Sequence, residues 1–583
     1  MRRLPMALVG ILLLGVACRA STRRVGASGG VPARSAVAYP PGWRFAPGGH
    51  ASFGEHFMIA SNNKLASDAG NEIIQAGGNA VDAAVAVGFA LAVTYPVAGN
   101  IGGGGFMVIR MADGRNAAID YREVAPLAAS RNMYLDAQGN PTNESIIGYR
   151  ASGVPGSVAG MAAALAKYGT KPLRDVMQPA IRLARDGFLV DSSLFGSLTS
   201  SKGYLGRFDA VKVFYPQGEP LKPGTLFKQP ALAHTLQLIA DQGPQGFYGG
   251  ETADSLVAGM KRGGGLITHE DLKGYQPVWR TPIVSTYRGH TLYSMPPASS
   301  GGITVTETLN MLEAAGSPPP WGSTAWAHLL ASAYQRAFID RNAKLGDPAF
   351  VKVPMDELTS KAYAQRLART IDRSHKTPTP ADGQQIVDGE STTHYSVVDD
   401  KGNAVATTTT LNNGYGSAVY LTGVGIFMND EMDDFAAAPG KPNMFGLVQG
   451  EANAIAPGKR MLSAMSPTIV VDPKGSLLLV VGAAGGPRII TTTAQVILNV
   501  IDYKMSLYDA MHAPRLHHQA LPDTLMVETN GISPAVRDSL IAIGHAVRFL
   551  GGLANANAVM RVAAGWEGVS EPRFTGTGGT SAR

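Results

Sequence analysis

Hydrophobic and polar positions change period several times along the chain, and each change marks an element. The stretch "NKLASDAGNEIIQAGGNAVDAAVAVGFALAVTYP" predicts two helices. The first stops at Gly77-Gly78, a C-terminal cap signal, and the second starts after Asn79 and runs to about Val93, ahead of Pro96. The second is apolar on nearly every side, which puts it in the interior. "GNIGGGGFMVIRMADGRNAAIDYREVAP" follows as a glycine-rich turn and two strands joined at Asp113-Gly114. From about Gly153 to Arg369 the pattern reads mostly as capped helices with short loops and no internal repeat. A polar connector spans Ser374 to Ser391. Beyond it the period falls to two, and "THYSVVD", "AVATTTTLN", "SPTIVVD" and "SLLLVVG" read as strands. A domain seam or chain boundary near Ser391 is the natural expectation.

"THYSVVDDKGNAVATTTTLN" has the pattern of a hairpin turning around Asp400 to Asn403. Pairing Asp399 with Ala404 sets Thr392 opposite Leu411; a shift of one residue sets it opposite Thr410. Either register brings Thr410 or its neighbours within a cross-strand step of ~5 Å, with Asn412 close by. A threonine hydroxyl is a poor nucleophile until a base takes its proton. A cut before Thr392 would free an α-amine beside that hydroxyl, and a reference pKa of ~7.7–8.0 suits a general base. On pattern alone, ordinary sheet threonines and a nucleophile both fit.

Composition narrows the class. Hydrophobic residues make up 45% of the 583 and charged residues 16%, which argues for a large buried core and against disorder. The pI is about 9.1, yet the net charge is only +6 and no basic run is interleaved with aromatics, so nucleic-acid binding is not expected. The N-terminus, "MRRLPMALVGILLLGVACRAS", has a basic start and an apolar run from Met6 to Ala17. That run is too short to cross a bilayer core of ~30 Å but fits a secretory signal in residues 1–18. Cys18, the only cysteine, stands as in a bacterial lipoprotein processing site, although Gly15 occupies a position where Leu is more usual. A plain signal peptide is the alternative, and in both cases no intrachain disulfide can form. Residues 19–50 read as a tether, with order from about Ala51.

Taken together, "GNIGGGGFMVIR…IDYREVAP", "STTHYSVVDDKGNAVATTTTLN", "MNDEMDDF", "KRMLSAMSPTIVV", "GAAGGPRIITTT" and "APRLHHQ" resemble the γ-glutamyltransferase family, in that family's order and over most of the chain. The resemblance implies an α+β fold, the four-layer αββα sandwich of the N-terminal-nucleophile hydrolases. Two subunits, 51–391 and 392–583, would arise from one self-cleaved precursor and pair as a heterodimer. It makes Thr392 both the cleavage point and the nucleophile, with Thr410 orienting it and the Gly485 and Gly486 N–H groups receiving the oxyanion. It assigns Arg122 and Ser463 to the substrate α-carboxylate, and Asn412, Glu431 and Asp434 to the α-ammonium. Two positions depart from the common pattern: Ala464 replaces a second serine, and Phe445 replaces a lid tyrosine. The implied activity is cleavage of glutathione and other γ-glutamyl amides, with transfer to water, amino acids or peptides. No cofactor or metal is implied, and the location would be periplasmic or cell-envelope, with a lipid anchor open at Cys18. A glutaryl or cephalosporin-type acylase and a non-catalytic envelope protein are the rival readings.

Other motifs have plainer readings. His394 is expected to share the face of Thr392 in a structural hydrogen-bonding role. His517 and His518 look like a metal pair but lack a third ligand at a known spacing. "GNIGGGG" lacks the ending of a phosphate-binding loop and reads as a close-packed turn near the site. "MDDF" could be a solvated acidic turn, and Arg122 with Glu123 a surface ion pair.

Overall fold

The computed structural model describes residues 37–379, 392–573 and 578–583. Two seven-stranded sheets, in which neighbouring strands pair antiparallel, form the centre. Sheet I runs from edge to edge as Gly579–Ala582, Met58–Ser61, Thr392–Val398, Ala404–Thr410, Gly104–Arg110, Asn116–Asp120 and Val278–Arg280. Sheet II runs Ser52–Gly54, Gly565–Val569, Asn555–Val562, Leu477–Ala484, Thr468–Val471, His290–Ser294 and Ile283–Tyr287.

Side chains alternate across a strand, and sheet I is apolar on both faces. Ile59, Met107, Ile109, Tyr395, Val397 and Val405 share one core with the helices Lys64–Gln75 and Ala80–Thr94. Met58, Ala60, Phe106, Val108, Ala404 and Ala406 share a second core with sheet II and the helices Gly301–Ala314, Thr324–Lys344 and Arg488–Ile501. The result is helix, sheet, sheet, helix, the expected αββα sandwich. Helix Ala80–Thr94 is buried along its whole length. Asn79 caps it through the Val81 and Asp82 N–H groups, and the Asp82 carboxylate accepts the Asn79 N–H in return.

The Thr392 hairpin adopts the second of the two registers, with Thr392 opposite Thr410 and Val398 opposite Ala404. Asp399 decides it. Its Oδ1 accepts the Lys401 and Asn403 N–H groups at 3.0 and 2.9 Å, and its Oδ2 accepts Asn403 Nδ2 at 2.7 Å and Ala80 N at 2.9 Å. The loop therefore begins at Asp399 and cannot pair it with Ala404.

The stretch from Gly153 to Arg369 is mostly helical, as expected, and also supplies Val278–Arg280, Ile283–Tyr287 and His290–Ser294 to the two sheets. Two expectations need correction. The part after Ser391 is not only strands, since helix Arg488–Ile501 covers sheet II. Packed chain also precedes Ala51: the Tyr39 hydroxyl donates to Asp509 O at 2.8 Å and Trp43 Nε1 to His512 O at 2.9 Å. Among the described residues no helix is long and apolar enough to cross a membrane. The signal segment, Cys18 and the connector end at Ser391 lie outside the described residues.

Candidate active site

Thr392 opens its strand and Thr410 closes the neighbouring one, so the two hydroxyls meet at one end of sheet I, with Oγ1 atoms 3.2 Å apart. Thr410 Oγ1 also accepts the Asn412 N–H at 2.8 Å. Asn412 is left-handed, with φ +76°, a conformation asparagine tolerates better than most residues. Its Nδ2 donates to Asp430 O at 3.1 Å, tying the hairpin to the acidic turn Glu431–Asp434.

Two asparagines that the sequence reading passed over fix this geometry. Asn100 donates through Nδ2 to Thr410 O at 2.8 Å and accepts Gly103 N at 2.9 Å. Asn429 donates to Gly102 O and Gly153 O at 2.9 and 2.8 Å and accepts Gly153 N and Glu431 N at 2.8 and 3.1 Å. They bond the glycine-rich turn to both the nucleophile strands and the acidic turn. A Cβ at Gly103 would lie 2.1 Å from Thr410 O, so the turn is the close-packed element expected.

Arg122 enters from the end of the Asn116–Asp120 strand and is fully buried. Its Nη1 contacts Glu431 Oε1 and its Nη2 contacts Asp434 Oδ2, while Glu123 Oε2 lies 3.7 Å from Nη1. Burial opposes its charge, but Glu431, Asp434 and Glu123 outweigh burial and hold the guanidinium above its ordinary range. The same burial raises all three acids against the pull of Arg122: Glu123 to about 7, Glu431 well above the usual carboxylate range, Asp434 upward as well. Three carboxyls crowd one guanidinium, and an incoming ammonium would supply the missing positive charge. Glu431 and Asp433 are buried, so the turn is not solvated. Arg122 and Glu123 are buried too, so they are not a surface pair.

These groups share one cavity, lined by Thr392, Thr410, Arg122, Asn412, Glu431, Asp434, Ser463, Ala464, Phe445 and Gly486 among others. Of the nine expected site residues only Gly485 is not on its wall; it precedes Gly486 in the turn leading to helix Arg488–Ile501. Gly486 has φ +57°, and a Cβ there would come 2.9 Å from the Phe445 ring. Phe445 thus covers this turn, and its carbonyl is held by Gln519 Nε2 at 3.0 Å. Ser463 Oγ accepts Met465 N at 3.1 Å. Arg341 also lines the cavity, and the sequence reading missed it.

The remaining histidines take structural partners. His394 Nδ1 meets Thr408 Oγ1 at 2.8 Å and Nε2 meets Ser396 Oγ at 3.1 Å, and burial pushes the ring down to about 3. His517 bonds Thr491 Oγ1 and Gln519 Oε1, both at 2.9 Å, while His518 Nε2 lies 3.2 Å from Asp523. Among the described residues no group of three His, Cys, Asp or Glu could hold a metal.

A four-layer αββα sandwich with a threonine opening an inner strand beside a buried charged cavity is the architecture of the N-terminal-nucleophile hydrolases. The family model for Gamma-glutamyltranspeptidase matches residues 66–580. A glutathione hydrolase proenzyme of Escherichia coli (strain K12) is 48% identical over 528 residues, covering 88% of this chain and 90% of that protein. An Acylase ACY 1 proenzyme of Pseudomonas sp. (strain SE83) is 39% identical over 537 residues, covering 89% and 93%. The crystal structure of a cephalosporin acylase from Bacillus halodurans superimposes with a TM-score of 0.81 at 26% identity, covering 93% of this chain and 99% of that one. The chain belongs to the gamma-glutamyltranspeptidase family.

Proposed function

We propose that the protein is an exported, self-processing glutathione hydrolase and γ-glutamyltransferase, cut before Thr392. The observation that carries this reading is the single cavity in which Thr392 Oγ1, 3.2 Å from Thr410 Oγ1, shares walls with Arg122, Glu431 and Asp434. A nucleophile lies beside complementary groups for both charges of an α-amino acid. The similarity to glutathione hydrolase proenzymes supports the same conclusion.

In self-cleavage Thr392 Oγ1 attacks the carbonyl carbon of residue 391, the peptide nitrogen leaves as the Thr392 α-amine, and water hydrolyses the resulting ester. That amine is then the base for turnover. It takes the hydroxyl proton as Oγ1 adds to the substrate γ-carbonyl, and the Gly485 and Gly486 N–H groups hold the oxyanion. Such donors act without reorganising, and each is worth about 3 kcal/mol. The intermediate collapses to a γ-glutamyl ester on Thr392, and the proton passes to the departing amine. Water then yields glutamate, or an acceptor amine yields a new γ-glutamyl amide. Thr410, held by the Asn412 N–H, orients the nucleophile. Arg122 and Ser463 take the α-carboxylate while Asn412, Glu431 and Asp434 take the α-ammonium. Substrate therefore exchanges partners with Arg122, which is paired with Glu431 and Asp434.

The fold match to a cephalosporin acylase favours a second reading, hydrolysis of glutaryl side chains. A glutaryl group carries no ammonium and leaves Glu431 and Asp434 without a cationic partner once its carboxylate has taken Arg122. Parallel assays on γ-glutamyl and glutaryl anilides decide between the two. The γ-glutamyl compound is expected to be the better substrate, and preference for the glutaryl compound refutes the assignment.

A further inference from the structure

The cavity holds a second guanidinium. Arg341, near the end of helix Thr324–Lys344, is buried and lines the same cavity as Ser463 and Ala464. Its polar partners are neutral: Nε donates to Ser300 Oγ at 3.0 Å, and Nη1 donates to Asn342 Oδ1 at 2.9 Å and Gln449 Oε1 at 3.4 Å. Arg122, by contrast, is saturated with carboxylates. Ser300 connects Arg341 to the serine assigned to the carboxylate, because its N–H and hydroxyl both donate to Ser463 O, at 2.8 and 2.5 Å. Gln449 connects it to the acidic turn, donating to Asp434 O at 3.1 Å.

We infer that Arg341 is a specificity-determining residue, a second guanidinium for the substrate α-carboxylate that stands in for the hydroxyl missing at Ala464. The inference rests on the γ-glutamyl reading given above. Arg341 donates hydrogen bonds to neutral groups, and burial pulls its guanidinium down to about 10 even though the charge of Asp434 pulls it back up. A carboxylate entering the cavity that Arg341, Ser463 and Ala464 line would supply a full counter-charge. With Nε committed to Ser300 and Nη1 to Asn342 and Gln449, the guanidinium is oriented before substrate arrives, and Nη2 is the nitrogen left to donate a charge-assisted bond to a carboxylate oxygen.

The test compares two substrates, a γ-glutamyl anilide with a free α-carboxylate and its α-carboxamide, on the processed wild-type enzyme and on Arg341→Met and Arg341→Lys. Loss of a charge-assisted hydrogen bond predicts that Arg341→Met lowers kcat/KM for the acid by about 10- to 100-fold. The amide, which offers no charge to that nitrogen, loses less than about threefold. Arg341→Lys keeps the charge without the guanidinium and serves if the methionine variant does not mature; it narrows the acid-to-amide ratio by a smaller factor. An unchanged ratio in every variant that matures overturns the inference, because a purely structural arginine penalises both substrates equally. Failure of the wild-type enzyme to cleave the acid anilide at all is a different result and counts against the γ-glutamyl reading.

Discussion

Replacing Thr410 by valine keeps its shape and removes one hydroxyl, and the surroundings of that oxygen set the expected cost. It accepts the Asn412 N–H at 2.8 Å and lies 3.2 Å from Thr392 Oγ1. Thr410 is 2% exposed and Asn412 5%, so water cannot take over. Stranding the Asn412 N–H costs about 1–3 kcal/mol. The released segment is one that holds Asn412 at φ +76°, so its amide also drifts from the cavity wall. Losing the hydroxyl partner of the nucleophile raises the barrier for both self-cleavage and turnover, by about 1.5–3 kcal/mol or roughly 10- to 150-fold in rate. The assay is a time course of maturation on denaturing gels, with anilide kinetics on the processed fraction and a melting curve for stability. Thr410→Ser, which keeps the oxygen, should stay within a few-fold of wild type. Maturation and turnover of Thr410→Val within about twofold of wild type would refute the reasoning, whatever happens to its melting point.

Ala464→Ser restores a donor on the cavity wall and should lower KM for γ-glutamyl substrates by about 5- to 30-fold, from ~1–2 kcal/mol for one hydrogen bond; an unchanged KM means the carboxylate binds elsewhere. Arg122→Met leaves Glu123, Glu431 and Asp434 buried without their cation, at a cost of about 3–5 kcal/mol near neutral pH. Protonated acids need no partner, so the gap in melting temperature between this variant and wild type should close as pH falls, and a gap independent of pH argues against the buried cluster. His394 and His517 are both pushed down to about 3 by burial. Because the unfolded chain protonates near 6.5 and the native chain does not, stability falls as pH drops from 6.5 toward 3, by about 2 kcal/mol per histidine at pH 5. His394→Gln should flatten that slope, and melting midpoints against pH would show it.

Much of the sandwich was legible because its signals are local. The cap at Asn79, the break at Gly77-Gly78 and the alternation from Thr392 onward need only neighbouring residues, and each lies within a residue or so of where it was expected. The hairpin register was not fixed by alternation, since both strands are buried on both faces and neither register exposes an apolar side; the Asp399 side chain decides it through bonds to Asn403 and Ala80. Strand His290–Ser294 escaped notice because it sits inside helical sequence and pairs with Thr468–Val471, far along the chain. The site divides the same way. Thr392, Arg122 and the acidic turn stand in long motifs, whereas Asn100, Asn429 and Arg341 are isolated polar residues whose roles come only from tertiary contacts. Burial of the "MDDF" turn likewise comes from Arg122 and Ser145, which meet it from distant parts of the chain.

In the proposed mechanism the Thr392 hydroxyl first breaks its own chain and then serves as the nucleophile. N-terminal sequencing of the smaller chain from purified enzyme, beside a Thr392→Ala variant, tests it most directly. The small chain of the wild type should begin at Thr392, and the variant should remain a single uncut, inactive chain. A small chain beginning at any other residue, or a Thr392→Ala protein that still separates into two chains and releases product, would contradict it.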